Sequence, residues 1–331
     1  MKHAAVVILN FNGKQHLQQF LPSVISHSSE ADIIIIDNAS TDDSLTFLSQ
    51  TYPQIRQIKL SQNHGFAGGY NLGLREVHNT CVVLLNSDVE VSPNWLEPLI
   101  SRLNSDSQIA AVQPKILDYN KKNHFEYAGA AGGFVDYLGF AYCRGRVFDT
   151  CEPDTKQYQV ASEIFWATGA ALAIKKQVFD SFGGFDDRFF AHMEEIDLCW
   201  RIKNSGLKIF FEPQSSVFHL GGGTLNKENT FKTYLNYRNN LAMLCKNLPA
   251  SKVIQTIFIR MIIDGISSVK FIKEGKFSSI WAIIRAHFAF YGMLPYLIKN
   301  RSKTFLAYSE LHKKSVVWQY FIQGKKTFTE L

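Results

Sequence analysis

Three carboxylates fall within four residues at Glu194, Glu195 and Asp197, in the run Phe189-Phe190-Ala191-His192-Met193-Glu194-Glu195-Ile196-Asp197-Leu198-Cys199-Trp200-Arg201. Like charges this close repel, which raises at least one pKa and suits a general base. Asp197 and Arg201 stand at i, i+4, so that acid is tied into a helix salt bridge. Glu194 and Glu195 are left for proton transfer or for the positive end of a helix dipole. His219 stands beside Gly221-Gly222-Gly223, as a metal ligand or a structural imidazole.

Three further groups are of types that bind nucleotides. Asp88, closing Asn86-Ser87-Asp88, is the best metal-ligand candidate of the first half, since Mg²⁺ or Mn²⁺ on a nucleoside diphosphate takes one or two carboxylates besides phosphate and water. Its alternative is a turn cap. Asp37, ending Ile33-Ile34-Ile35-Ile36, can accept an imino hydrogen bond from a pyrimidine or cap the next helix. The run Asn63-His64-Gly65-Phe66-Ala67-Gly68-Gly69-Tyr70-Asn71 is small enough for close backbone approach and opens a helix, whose N-terminus favours phosphate. It is neither G-x-G-x-x-G nor G-x-x-x-x-G-K-[ST].

These residues need a scaffold that brings them to one edge. Val6–Leu9 and Ile33–Ile36 are short apolar runs of the kind buried on both faces of a sheet. Leu17, Phe20, Leu21, Val24 and Ile25 between them form one helix stripe. Further strands are expected at Ile55–Leu60, Cys81–Leu85, Ile109–Val112, Ala170–Ile174 and Lys208–Phe211. Helices are expected at Asn94–Leu103, opened by Ser92-Pro93, at Lys175–Phe182 and at Glu194–Asn204. Residues 118–165 read as a long irregular insertion, and everything from about Thr230 reads as helix. The alternation implies an α/β fold, a mostly parallel sheet with helices on both faces, binding its ligand at the strands' carboxyl ends. Asn10, Asp37 and Asn86–Asp88 end three such strands.

The chain of 331 residues is 46% apolar and 19% charged, ordinary globular usage that excludes disorder throughout. Five cysteines, odd in number and without a C-x-x-C pair, exclude a disulfide framework and indicate reduced thiols inside the cell. The N-terminal apolar run is too short for a secretory signal. Residues 1–245 hold 21 basic and 25 acidic side chains, a net of −4, whereas 246–331 hold 14 and 4, a net of +10. Basic and aromatic together, the last quarter is expected to meet phosphates, with a membrane surface preferred to nucleic acid and a helical subdomain packed on the first domain behind a solvated basic face as the alternative. Arg260, Asp264, Arg285 and His287 interrupt its apolar runs, so lying in the interface is expected rather than spanning.

Ile36-Asp37-Asn38-Ala39-Ser40, Asn63-x-Gly65-Phe66-Ala67-x-x-x-Asn71, Leu84-Leu85-Asn86-Ser87-Asp88, Gly169-Ala170-Ala171 and Phe182-Gly183-Gly184-Phe185-Asp186 through Arg201 occur in that order. Together they resemble glycosyltransferase family 2, in particular the rhamnosyltransferase-like branch that builds bacterial surface polysaccharides, over about residues 4–245. The resemblance implies a GT-A fold, a nucleotide-sugar donor, a divalent cation (Mn or Mg) and inversion at the anomeric carbon. It implies that Asn10, Asp37, Asn63, Gly65, Asn71, Asn86 and Asp88 bind the donor, and that Asp88 and His219 hold the metal. Trp166, Gly169 and Asp197 would line the acceptor site, and Glu195, with Glu194 beside it, would be the base. Asn86 at the first position of the D-x-D-type motif and Glu195 where aspartate is commoner depart from the family pattern.

The implied organisation is a catalytic domain over 1–229, with a donor half to about 115 and an acceptor half from about 116, and a basic helical region over 230–331. The implied donor is dTDP-rhamnose, with UDP-hexoses next, and the acceptor a saccharide or lipid-linked saccharide at the inner face of the plasma membrane. A homo-oligomer is left open. A sugar nucleotidyltransferase, or a non-catalytic membrane-attached binding protein, would be the rival readings.

Overall fold

The computed structural model describes residues 2–221, 229–306 and 311–331. Its first part alternates as expected: β1 (Ala4–Asn10), α1 (Lys14–His27), β2 (Ala31–Asp37), α2 (Ser44–Thr51), β3 (Arg56–Lys59), α3 (Gly65–Gly73), β4 (Cys81–Asn86), β5 (Val89–Val91), α4 (Leu96–Asn104) and β6 (Ile109–Asp118). There follow β7 (Gly133–Asp136), β8 (Ala141–Cys143), β9 (Arg146–Val147), β10 (Thr150–Cys151), β11 (Ser162–Glu163), β12 (Ala171–Lys175), α5 (Lys176–Ser181), α6 (Glu194–Asn204) and β13 (Lys208–His219). The chain closes with α7 (Thr230–Asn247), α8 (Ala250–Lys273), α9 (Phe277–Lys299), β14 (Leu311–His312) and α10 (Val316–Phe321).

The main sheet runs β11-β13-β6-β12-β4-β1-β2-β3, with β5 on β13. The half β4-β1-β2-β3 is parallel. The expectation of a mostly parallel sheet ends there, because β12 is antiparallel to both β4 and β6 while β13 is parallel to β6. Helices cover both faces, so each strand is apolar on both sides: Val6 and Ile8 share a core with Leu17, Leu21 and Leu99, and Ala5 and Val7 share another with Tyr70. The second core continues through Trp200 and Leu241 to Phe290, so α7 and α9 are part of it.

Three expectations are corrected. Helix α4 starts at Leu96 rather than Asn94, because Asn94 adopts a φ of 56° and left-handed backbone cannot lie inside a helix. Residues 118–165 supply four strands of a second sheet, β10-β9-β8-β7-β14, among the described residues. Its strands are too short to show a period of two. Its edge strand β14 pairs in parallel with β7, so the chain after Thr230 is not entirely helical.

A buried ion network fastens α7 to α6. Lys246 Nζ lies 2.6 Å from Asp186 and 2.9 Å from Asp197, whose other partners are Arg201 at 2.8 Å and the Asn247 amide at 2.8 Å. Burial alone would raise the Asp197 carboxyl, but Lys246 and Arg201 outweigh it and hold it below the usual range. Removing the lysine strands two buried carboxylates. Lys246→Ala is expected to cost about 3–5 kcal/mol, read as a lowered midpoint in urea unfolding.

Candidate active site

Chain ends of neighbouring parallel strands meet at the carboxyl edge of the main sheet. Asn10 pairs with Asp37 in register, and the Asn10 amide donates to Asp37 Oδ1 at 3.1 Å. Asp37 Oδ2 accepts from the Ser40 N–H at 3.0 Å, so the carboxylate also closes its own turn. Two non-glycine residues in left-handed backbone, Asn12 and Ala39, mark the loops after these strands. Asn63 Oδ1 accepts from the Gly65 N–H at 2.8 Å and from the Asn38 amide at 2.9 Å, which seats the start of α3 on the β2 loop. Gly65 has a φ of 70°, and a Cβ there would meet the ring and carbonyl of Phe190, so only glycine fits.

Beside this edge Asp88 meets His219. Their elements are held together by β5 on β13 and by the Leu220 N–H donating to the Asp88 carbonyl at 3.0 Å. His219 Nε2 is 3.2 Å from Asp88 Oδ1 and 3.5 Å from the Asn86 amide nitrogen. Its Nδ1 is 3.1 Å from Glu126 Oε2. Burial opposes charge on the imidazole, yet Asp88 and then Glu126 overcome it and push His219 up to about 10. Asp88, which burial would raise, is correspondingly held low by His219. A carboxylate oxygen and an imidazole nitrogen turned to one point, with a second carboxylate behind the ring, is the donor set and backing of a divalent-cation site. No group of three His, Cys, Asp or Glu side chains among the described residues is arranged to hold a metal. The two-ligand set therefore fits a cation that takes its other ligands from a diphosphate and water. Glu126 was missed in the sequence because its surroundings show no period, and no spacing links it to His219.

The three acidic residues of α6 have divided environments. Asp197 is ionised and paired, as described. Glu194 is buried, and burial together with the Glu195 charge raises its pKa well above the ordinary value. Glu195 is pushed up to about 7 by burial, against the pull of the backbone N–H groups of 193, 195 and 196. One oxygen of each glutamate, and His192 Nε2, is buried without a hydrogen-bond partner. Burial, helped by Lys232, lowers His192 to about 4 and keeps it neutral. The preceding loop is strained, with Phe190, His192 and Met193 all at positive φ. Its Phe190 carbonyl accepts from the N–H groups of Phe66 and Ala67, tying it to α3. From α7, the Asn239 amide donates to the carbonyls of Phe189, Ala191 and His192 at 2.8–2.9 Å.

Gly169 lies at the head of β12 against the Phe66 ring, and the next residue's carbonyl accepts from the Asn86 N–H at 3.0 Å. Cys199 on α6 contacts the Ala167 N–H at 3.4 Å, so the helix bearing Glu195 packs against this same segment. Three expected site residues are committed elsewhere. Asn71 both donates to and accepts from the Phe185 backbone, at 2.8 and 2.9 Å, and also meets Asp187, which clamps that loop to α3. Trp166 is buried over Gly133 with its Nε1 donating to the Phe134 carbonyl, leaving no ring face for an acceptor. Asp197 is sealed by Lys246, Arg201 and Asn247. Gly222 and Gly223 lie outside the described residues. Two surface clefts, one beside Asp32 and Asn79 and one beside Asp186 and Tyr296, include none of Asp88, Glu195 or His219.

Residues 5–165 match the family model described as Glycosyl transferase family 2. Curated relatives include a low-salt glycan biosynthesis hexosyltransferase of Haloferax volcanii, 22% identical over 83% of this chain and 87% of the relative. An N-acetylglucosaminyl-diphospho-decaprenol L-rhamnosyltransferase of Mycobacterium tuberculosis is 24% identical over 65% of this chain and 75% of the relative. Among solved structures, GalNAc-T7 with UDP, GalNAc and Mn²⁺ superposes with a TM-score of 0.62 at 19% identity, over 89% of this chain and 58% of that one. A mannosyltransferase from Pyrobaculum calidifontis with GDP-Man and Mn²⁺ gives 0.53 at 12% identity, over 89% and 87%. At such identities the structural likeness carries the fold, which is GT-A.

The Asn239 clamp has a measurable consequence. Asn239→Ala frees three carbonyls of the strained loop and lets Glu195 drift. Urea unfolding is expected to show a lowered midpoint, by about 1–3 kcal/mol for the buried carbonyls left unpaired.

Proposed function

We infer that this chain, which belongs to glycosyltransferase family 2, is a metal-dependent inverting enzyme that moves a sugar from a nucleotide donor to a hydroxyl of a saccharide or lipid-linked saccharide. The observation that carries this reading is the meeting of Asp88 and His219 at 3.2 Å where β4 ends, next to Asn86 and the Asn10–Asp37 pair. The names of the Mycobacterium and Haloferax relatives support rhamnosyl transfer first and hexosyl transfer second. dTDP-rhamnose is the proposed donor, with a UDP-hexose as the alternative. Bacterial surface polysaccharide is the proposed product, made at the inner face of the plasma membrane.

Asp37 accepts from the pyrimidine base while Asn10 orients it. Asn63, Gly65 and Asn86 shape the backbone against the rest of the donor. Asp88 and His219 would hold a divalent cation, which would supply positive charge to offset that growing on the departing diphosphate. Glu126 fixes the His219 ring from behind. Glu195 takes the proton from the acceptor hydroxyl as that oxygen bonds the anomeric carbon and the bond to the diphosphate oxygen breaks. A base poised near neutrality suits the transfer and is worth roughly 10²–10⁴-fold in rate. Glu194, whose carboxyl pKa is raised by burial and by the Glu195 charge, stands beside the base, and Gly169 lets the acceptor approach.

Kinetics and ligand binding test this. Glu195 must be ionised to act, so turnover is expected to rise with pH through about 7 and then level. Glu195→Gln should keep donor binding and lose about 10²–10⁴-fold in kcat; wild-type turnover in that variant would refute the assignment. In a thermal-shift panel, dTDP-rhamnose or a UDP-hexose should raise the midpoint with Mn²⁺ or Mg²⁺ and not with chelator, by about 2.7 kcal/mol at a hundred times Kd. Asp88→Asn should remove the metal's contribution. Pyrophosphate release from a nucleoside triphosphate would identify a nucleotidyltransferase instead.

A further inference from the structure

Helix α8 is inside out. The side it turns to the protein carries Thr256, Arg260 and Asp264, with Arg260 5% and Asp264 3% exposed. Arg260 lies over the Phe140 ring and donates to the Leu138 carbonyl at 3.1 Å, and Asp264 is 3.2 Å from His287 of α9. The opposite side presents Ile254, Phe258, Ile262, Ile266, Val269 and Ile272, with Ile254 80% exposed. These recur at the spacing of a single helix face.

Helix α9 repeats the arrangement. It buries Ala282, Ile283, Ala286 and Phe290, and exposes Phe277, Trp281, Ile284, Phe288, Tyr291 and Ile298, with Phe288 73% exposed. Tyr291 Oη donates to Met261 Sδ at 3.3 Å, joining the two stripes edge to edge. The result is a two-helix apolar face about 35 Å long, larger than scattered surface residues explain. Neither helix is long and apolar enough to cross a membrane.

Charge decides the occupant. Residues 250–300 hold seven cations and two anions, and Lys252, Lys270, Lys273, Lys276, Arg285 and Lys299 are all exposed around the stripes. A second copy docked face to face would set these like charges against one another. An anionic bilayer would instead receive the apolar side chains at its acyl boundary and the cations at its headgroups. We propose that the paired faces of α8 and α9 are a monotopic membrane-binding surface that seats the enzyme on anionic lipid. This rests on the lipid-linked acceptor reading only for its purpose, not for its geometry.

The test is co-sedimentation of the full chain with vesicles of phosphatidylcholine alone or mixed with phosphatidylglycerol, at low and high salt, with fluorescence and dTDP and UDP thermal shifts on the same samples. The chain is expected to sediment with the anionic vesicles, less so at high salt, with a blue shift that Trp281→Phe removes. The double variant Phe258→Glu/Phe288→Glu should lower the partition about a hundredfold, since each large apolar side chain is worth tenfold or more, while keeping its nucleotide shift. A wild-type chain left in the supernatant with anionic vesicles at low salt overturns the proposal. So does a concentration-dependent blue shift without vesicles in a dimer that the double variant dissolves, which would make a second copy the occupant. Vesicle binding without any nucleotide shift would uphold the membrane face while refuting the enzyme reading.

Discussion

A polar stripe on α7 holds the acidic end of α6 and its strained approach loop in place. Three carboxylates in the first turn of one helix cannot all ionise cheaply in a buried setting. Lys246 and Arg201 resolve the conflict by taking Asp197 out of it, with Asp186 sharing the lysine. The remaining two acids both have raised pKa values, Glu194 through burial and the charge of Glu195, and Glu195 through burial. For Glu195 that burial is opposed by the backbone N–H groups at the start of α6. Helix α7 also supplies Asn239, whose amide ties down the loop carbonyls, so backbone strain and acid chemistry share one support.

The other side of the site is built from strand ends. Parallel pairing of β1 with β2 and β4 sets Asn10, Asp37 and Asn86 at one level, and the β5–β13 pairing brings His219 up to Asp88. His219 is the electrostatic pivot, carrying a proton between two carboxylates where a divalent cation would otherwise provide the positive charge. In the proposed reading a cation bound there would displace this proton, since a metal ligand must be neutral.

Much of this was legible because its signals are local. Polar residues halting apolar runs located the sheet edge, and the i, i+4 relation of Asp197 and Arg201 appears as a 2.8 Å ion pair. Helix α6 spans the expected Glu194–Asn204. What escaped depends on distant contacts. Asn71 bonds to the Phe185 backbone and Trp166 is buried over Gly133, and nothing in their spacing announces either contact. Glu126 reaches His219 only through the fold of a segment without period. The second sheet is made of strands two to four residues long, and β14 arrives from the far end of the chain. The polar run Arg238-Asn239-Asn240 just ahead of the apolar Leu241–Cys245 was the available clue to the α7 stripe.

The membrane face and the catalytic edge use opposite solutions to the same problem, charge placed inside or apolar surface placed outside for a partner to complete. The central claim, that the Asp88–His219 pair and the Asn10–Asp37 edge form one donor site, is tested most directly by crystallography of the chain with its nucleotide sugar and Mn²⁺. An anomalous difference peak between Asp88 Oδ1 and His219 Nε2, with the base against Asp37 and the anomeric carbon facing Glu195, is the expected result. A manganese peak away from that pair, or a nucleotide bound on another face of the sheet, would contradict the account.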